Sequence, residues 1–279
     1  MIGMPRFGVA LAVALVVAIF SASPALAQMP SPFAGWQNDS GIMLRGLGGP
    51  VSDWHVVVGG GAVAVPEYVG SKHYEVLPAP VIDVRYKDLV FLTTGEGLGV
   101  NLLRGENYRA GVALGYDLGR SQHDDSALKG TGSIPPAPVV RAFGEFYILP
   151  FVVKADVQQA VGGVDGLTGD LGVYAPVVGN EKLVVFIGPA VTLADGRYMQ
   201  HYFGIGTTQA VPNSRFPPYR AHGGFTNAKF GIAATYRFTD NWLLDGDLAY
   251  ERLLASAADS PIAETKNQVG ASLTLDYEF

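Results

Sequence analysis

The chain has 279 residues, of which 48% are apolar and only 16% charged, with 36 Gly, no Cys and a formal net charge of −6. Soluble domains average about 25% charged residues and about 7% Gly, so this balance is unusual for a soluble enzyme. The apolar content excludes intrinsic disorder, the absence of Cys excludes a disulfide scaffold or thiolate metal site, and the acidic balance argues against a nucleic-acid partner.

The chain opens with Arg6, an uncharged run from Val9 to Phe20, and then Ala25-Leu26-Ala27. That order is the basic, apolar and cleavage region of a secretory signal peptide, and the apolar run is far short of the ~20 residues a membrane-spanning helix needs. Residues 1–27 are therefore expected to be removed, with Gln28 as the new N-terminus; because position 28 is not Cys, lipoprotein attachment is excluded. Residues 28–53 are rich in Pro and Gly and lack periodicity, which reads as a periplasmic lead-in of low order.

From Trp54 onward the pattern has period two. In Thr226–Phe238, Ala228, Phe230, Ile232, Ala234, Tyr236 and Phe238 alternate with Asn227, Lys229, Gly231, Ala233, Thr235 and Arg237. Tyr108–Leu118 and Asn267–Phe279 alternate in the same way, which is a strand signal and excludes an amphipathic helix there. The segments run 11 to 13 residues, longer than the 5 to 6 of typical soluble strands and close to the ~9 to 11 of a tilted membrane-crossing strand. Their polar parity is rich in Gly, Ala, Ser and Thr, and aromatics stand at segment ends (Trp54, Tyr86, Tyr108, Trp242, Tyr250, Tyr277, Phe279) where interfacial girdles lie. Residues 54–279 are thus expected to form an all-β, transmembrane, antiparallel up-and-down β-barrel in the outer membrane of a Gram-negative bacterium. A terminal aromatic on such a strand, here Phe279, resembles the sorting signal read by the barrel assembly machinery.

In chain order the strands are expected near Trp54–Val65, Leu77–Tyr86, Leu89–Leu103, Tyr108–Gly119, Pro138–Leu149, Phe151–Val161, Leu167–Val177, Leu183–Leu193, Thr226–Phe238, Trp242–Leu253 and Asn267–Phe279. Short connections stand at Lys87-Asp88, Pro150, Gly179–Lys182 and Thr239–Asn241; long ones cover Glu67–Val76, Arg120–Ala137, Ala194–Phe225 and Ala255–Lys266. Such barrels have short periplasmic turns, long outer loops and an even strand number. Placing Phe279 in the periplasm makes the lengths agree, but eleven strands leave the parity wrong. Splitting Leu89–Leu103 at its Gly95-Glu96-Gly97-Leu98-Gly99 run restores it, so twelve strands are expected, with ten and fourteen as alternatives.

Several phrases in this order resemble the MipA/OmpV family of outer-membrane proteins, the family of the MltA-interacting protein. They include Pro66-Glu67-Tyr68-Val69-Gly70-Ser71, Gly97–Leu103, Gly115–Arg120, Asp165-Gly166-Leu167, Gly188-Pro189, Tyr198-Met199-Gln200, Tyr202-Phe203-Gly204, Tyr236–Trp242 and Asp259-Ser260-Pro261-Ile262. The resemblance covers residues 54–279 and implies a scaffold that binds a murein lytic transglycosylase and a bifunctional penicillin-binding protein. It also implies surface-antigen or adhesin roles, and it carries no catalytic, cofactor or metal residues.

The residues leave a hydrolase and a small-solute pore to be weighed. His123-Asp124-Asp125-Ser126 is the densest polar cluster among the expected loops and could hold Ca²⁺ or form part of a hydrolytic site; a solvated loop is the simpler reading. The sequence contains no G-x-S-x-G elbow, Walker-type phosphate loop or H-E-x-x-H pair. No catalytic, cofactor or metal residue is therefore assigned. Tyr198–Phe203 reads as a short helix packed within the longest loop. Arg109, Asp117, Arg141, Glu145, Lys154, Asp156, Lys229, Arg237, Asp245, Asp247, Glu251, Asp276 and Glu278 fall on the lumen parity. Their mixed signs predict internal salt bridges that close the lumen.

Overall fold

A computed structural model describes residues 53–162, 166–207, 209 and 216–279. The expected signal peptide and nearly all of the expected lead-in lie outside the described residues. Alternating side chains and short turns produce twelve antiparallel strands that close on themselves. They are β1 Trp54–Pro66, β2 Tyr74–Tyr86, β3 Val90–Thr93, β4 Gly97–Gly105, β5 Tyr108–Asp117, β6 Ala137–Ile148, β7 Phe151–Ala160, β8 Leu167–Gly179, β9 Leu183–Ala194, β10 Gly224–Arg237, β11 Trp242–Leu253 and β12 Asn267–Glu278. Each strand pairs with its sequence neighbours, and β1 closes against β12 over Val57↔Glu278 to Ala64↔Ala271. The β1–β12 pairing removes the two outer edges that a lone twelve-strand sheet would expose to lipid.

The expected split of Leu89–Leu103 occurs, with the turn at Thr94–Glu96. Most observed bounds fall within one or two residues of expectation, and three of the differences have a physical reason. The second strand begins at Tyr74 rather than Leu77, because ladder pairing to β1 continues through Pro66↔Tyr74 and needs no alternating side chains. The eighth strand runs on to Gly179, across a register irregularity between Pro176 and Val178. The tenth begins at Gly224, across an irregularity between Phe225 and Asn227, where Thr226 and Asn227 are both buried.

The outward parity is a continuous apolar band. Val112, Leu114, Val140, Phe146, Val157, Leu171, Phe230, Ile232, Leu248, Leu273 and Leu275 are all exposed on it. An exposed apolar surface of this extent on a closed barrel is the lipid-facing belt of a transmembrane barrel. Aromatic pairs sit at the strand ends, as Trp54–Tyr86, Tyr108–Phe146, Trp242–Tyr277 and Tyr277–Phe279.

The β1–β12 seam depends on glycine. A Cβ at Gly61 would lie 1.9 Å from the Leu273 carbonyl oxygen, and one at Gly59 would overlap Asp276. Inward-facing Gly59 and Gly61 let the two closing strands approach where any side chain would hold them apart.

Candidate functional site

The lumen is filled rather than open. Its first region joins β2 to β7. Arg109, buried on β5, donates to Glu145 on β6 at 2.5 Å and to Glu96 in the β3–β4 turn at 2.7 Å. Arg85 on β2 donates to Asp83 at 2.8 Å and to Glu96 at 3.2 Å, and the Lys154 ammonium of β7 lies 3.8 Å from Glu145. Three cations and three carboxylates, all buried, thus neutralise one another. The rings of Phe91 and Phe143 flank this set, with the Arg109 guanidinium 5.0 Å from the Phe143 centroid and Arg85 5.4 Å from that of Phe91.

A second polar region spans β6 to β10. Arg141 faces Asp156 at 3.5 Å, Lys229 faces Asp170 at 3.6 Å, and Thr192 donates to Asp170. On β10–β12, Thr235 donates to Asp245, Ser272 to Asp247 at 2.7 Å and Thr274 to Asp276 at 2.9 Å. Toward the short turns, Arg237 pairs with Glu278 at 2.6 Å. An apolar layer crosses the lumen as well, built from Val63, Val65, Ala79, Val152, Tyr174, Val184, Phe186, Ala233 and Ala249.

The sequence-read lumen residues face inward as expected, and Arg109, Arg141, Glu145, Lys154, Asp156, Lys229, Arg237 and Glu278 make mixed-sign pairs. Asp117, Asp245, Asp247 and Asp276 instead accept from hydroxyls, and neither carboxylate oxygen of buried Glu251 has a hydrogen-bond partner among the described residues. Asp83, Arg85, Glu96 and Asp170 belong to the same networks and were missed. Glu96 stands in a turn, where parity carries no information, but the inward parity of Asp83 and Arg85 on β2 was available. The apolar layer was also missed, because β7 and β9 carry apolar residues on both parities.

The long loops fold over one mouth of the barrel and share a small core. The β9–β10 loop contains helix α1 (Gly196–Phe203), capped by Asp195, which accepts from the Tyr198 N–H. The β11–β12 loop contains α2 (Ala255–Ala258), and the β5–β6 loop a 3-10 turn at Ser126–Leu128. Met199 and Phe203 pack with Ala221, Leu253 and Ala257, while Tyr68, Ala127, Leu128, Ile205 and Ile262 form an adjoining cluster. Polar bonds lock the loops together. Tyr202 donates to both carboxylate oxygens of Asp117, Arg120 to the Tyr202 carbonyl at 2.7 Å, Ser260 to the Phe203 carbonyl and Tyr68 to the Ile262 carbonyl.

The His123–Ser126 cluster does not assemble into one site. Asp124 accepts from the Ser121 N–H and His123 stays at the surface, whereas Asp125 turns inward. Asp125 accepts from Ser71 at 3.0 Å, from the Ala127 N–H at 2.8 Å, and faces His73 Nδ1 at 3.0 Å. Burial alone would raise its carboxyl, but those hydrogen bonds outweigh it and hold the group at about 2. Glu67, His73 and Asp125 each offer a ligand atom within 4.8 Å of the others, the one such grouping of His and carboxylate among the described residues. Beside this trio the Ser71 hydroxyl donates to Asp125 and accepts from the His73 backbone N–H. A cleft of about 440 Å³ opens on the loop surface, lined by Asp195, Arg197, Gln200, His201, Arg220 and His222.

A closed, lipid-belted barrel with interlocked loops now has a counterpart among known proteins. The family model described as MltA-interacting protein MipA matches residues 58–279. The chain belongs to that family. It is 31% identical over 102 residues to outer membrane protein OmpV of Vibrio cholerae serotype O1, an alignment covering 37% of this chain and 38% of that protein. The match therefore spans well under half of that relative. Among solved structures, the NanC porin aligns over 81% of this chain and all of its own, at 8% identity and a TM-score of 0.42. A bacterial polysaccharide outer membrane secretin aligns over 82% of this chain and all of its own, at 10% identity and a TM-score of 0.41. The protein is an outer-membrane β-barrel of the MipA/OmpV type.

Proposed function

We propose that this barrel is a non-enzymatic scaffold that holds peptidoglycan-remodelling enzymes, a murein lytic transglycosylase and a bifunctional penicillin-binding protein, at the inner face of the outer membrane. The interlocked loops face outward and the short turns and Phe279 face the periplasm, in the usual sense for such barrels. The single observation that carries the reading is the sealed interior: ion pairs, an apolar layer and a loop core fill the lumen that a pore would keep open. A barrel that spends its interior on rigidity, within a family named for an interaction, is suited to presenting surface. Residues 1–27 act as the cleaved export signal, residues 28–53 as the periplasmic lead-in, and the strand ending at Phe279 as the element read by the assembly machinery.

The turn joining β6 to β7 gives the scaffold a contact surface. Leu149 is 94% exposed, with Ile148 and Phe151 beside it, an apolar tip on the short-turn side. Such a tip is costly in water unless a partner or headgroup region covers it. The detergent-solubilised barrel should retain a purified MltA-type lytic transglycosylase on an affinity column, and Leu149→Asp should release it. No retention above that of an unrelated barrel would sink the proposal. The pore alternative predicts a stable unitary conductance in a planar bilayer; the filled lumen supports the opposite expectation, and such a conductance would favour transport.

A further inference from the structure

The barrel wall is incomplete on its long-loop half. The β3–β4 hairpin is short: β3 pairs with β2 over Asp83↔Thr93 to Tyr86↔Val90, and β4 reaches β5 only as far as Leu98↔Leu114. Above Ile82, β2 continues to Tyr74 with β1 on one side and, among the described residues, no strand on the other. Above Leu114, β5 likewise continues to Asp117 with β6 alone. The unpartnered stretch of β2 from Tyr74 to Val81 extends about 23 Å along the strand at ~3.3 Å per residue. The β5–β6 loop closes the top, where Asp125 meets Ser71 and His73. The result is a notch in the wall bounded by β2, the hairpin, β5 and that loop.

Backbone chemistry decides what the notch can hold. Ile82 exchanges bonds with Thr94, its N–H donating to the Thr94 hydroxyl and its carbonyl accepting from the Thr94 N–H. Its backbone therefore points to the hairpin side, and by the two-residue period so do those of Pro80, Pro78 and Val76. Two of these three have no N–H to offer. Proline on an open edge blocks addition of a further strand, since the ladder loses its donors. An acyl chain needs no donor from this edge, but it bonds none of the Val76, Pro78 and Pro80 carbonyls either, so it is held by apolar contact alone. The notch is also continuous with the lipid-facing belt: Val76 is 71% exposed and Tyr116 61%, with Leu98 and Leu114 below. Behind it, inward-facing Gly115 has no atom within 4 Å of the place its Cβ would occupy, and Leu77 packs on the apolar layer of the lumen.

We propose that this notch seats an acyl chain of a lipid from the leaflet on the long-loop side, so that one lipid tail replaces the missing wall between β2 and β5. This inference requires only the transmembrane barrel and is independent of any enzyme partner. The absence of Cys allows a direct test in the full mature chain. Single-cysteine variants Gly115→Cys and Leu77→Cys, facing inward at the notch, are compared with Leu171→Cys on the belt of β8 and Gln158→Cys, facing inward from β7. Strand β7 has partners on both sides, so Gln158 lies behind complete wall. Each variant is labelled with bimane, reconstituted in phosphatidylcholine nanodiscs containing doxyl-labelled phosphatidylcholine, and checked for the heat-dependent gel shift of a folded barrel.

The expected result is quenching at Gly115 and Leu77 as strong as at Leu171, with little at Gln158. Quenching at the notch sites no greater than at Gln158 overturns the proposal. So does concentration-dependent disulfide dimerisation of Val76→Cys accompanied by that low quenching, which would assign the edge to a strand of a second copy.

Discussion

Removing the Glu145 carboxylate is the sharpest perturbation of the lumen. Glu145 is fully buried between Arg109, at 2.5 Å, and Lys154, at 3.8 Å. Glu145→Gln keeps the volume but leaves three buried cations facing two carboxylates. Coulomb attraction at 3.8 Å with an effective dielectric of 20 is about 4 kcal/mol, and stranding one partner of a buried pair typically costs about 3 to 5 kcal/mol. The double variant Glu145→Gln, Lys154→Met restores charge balance, with Arg85 and Arg109 facing Asp83 and Glu96. It should recover roughly half of that loss, because most of the single-variant penalty is an uncompensated charge rather than a lost contact. Urea unfolding of the refolded barrel in detergent micelles, followed by tryptophan fluorescence, gives both values. A single-variant loss under about 1 kcal/mol, or a double-variant loss equal to the sum of the two singles, would refute the reasoning.

Gly61→Val should abolish the heat-resistant folded form on gels, since its side chain meets the Leu273 carbonyl oxygen across the closing seam. Gly60→Ala, one residue away with its nearest neighbour at 3.7 Å, should fold with a stability change within about 0.5 kcal/mol. Tyr202→Phe removes the hydroxyl that donates to Asp117 and should loosen the loop cap by about 1 to 3 kcal/mol, read as faster protease cleavage of the β9–β10 loop. Asp125 is held at about 2, below the ordinary ~3.9 of an unfolded aspartate, so its stabilising contribution is complete above about pH 4 and disappears as the pH falls through 2. Protease sensitivity of the β5–β6 loop should therefore rise on acidification across that window in the parent chain, and Asp125→Asn should show the same sensitivity at neutral pH without the acid step.

The period of two in the sequence carried the strand identities, the transmembrane orientation of side chains and the twelve-strand count, because a closed barrel in lipid imposes that alternation on every spanning segment. The Gly95–Gly99 run showed where β3 and β4 part, and Arg109, Glu145, Lys154 and Lys229 announced a charged lumen as isolated charges on an inward parity. Local pattern goes no further than parity. It cannot say that Glu96, in a turn, reaches both Arg85 and Arg109, since that depends on the height at which a four-residue strand stops. Nor can it bring Ser71, His73 and Asp125 together, because loops from opposite sides of a wall gap meet only once the barrel has closed. The prolines of β2 were legible from the start. That they edge a notch follows only from register, which is a property of neighbouring strands and not of the strand that carries them.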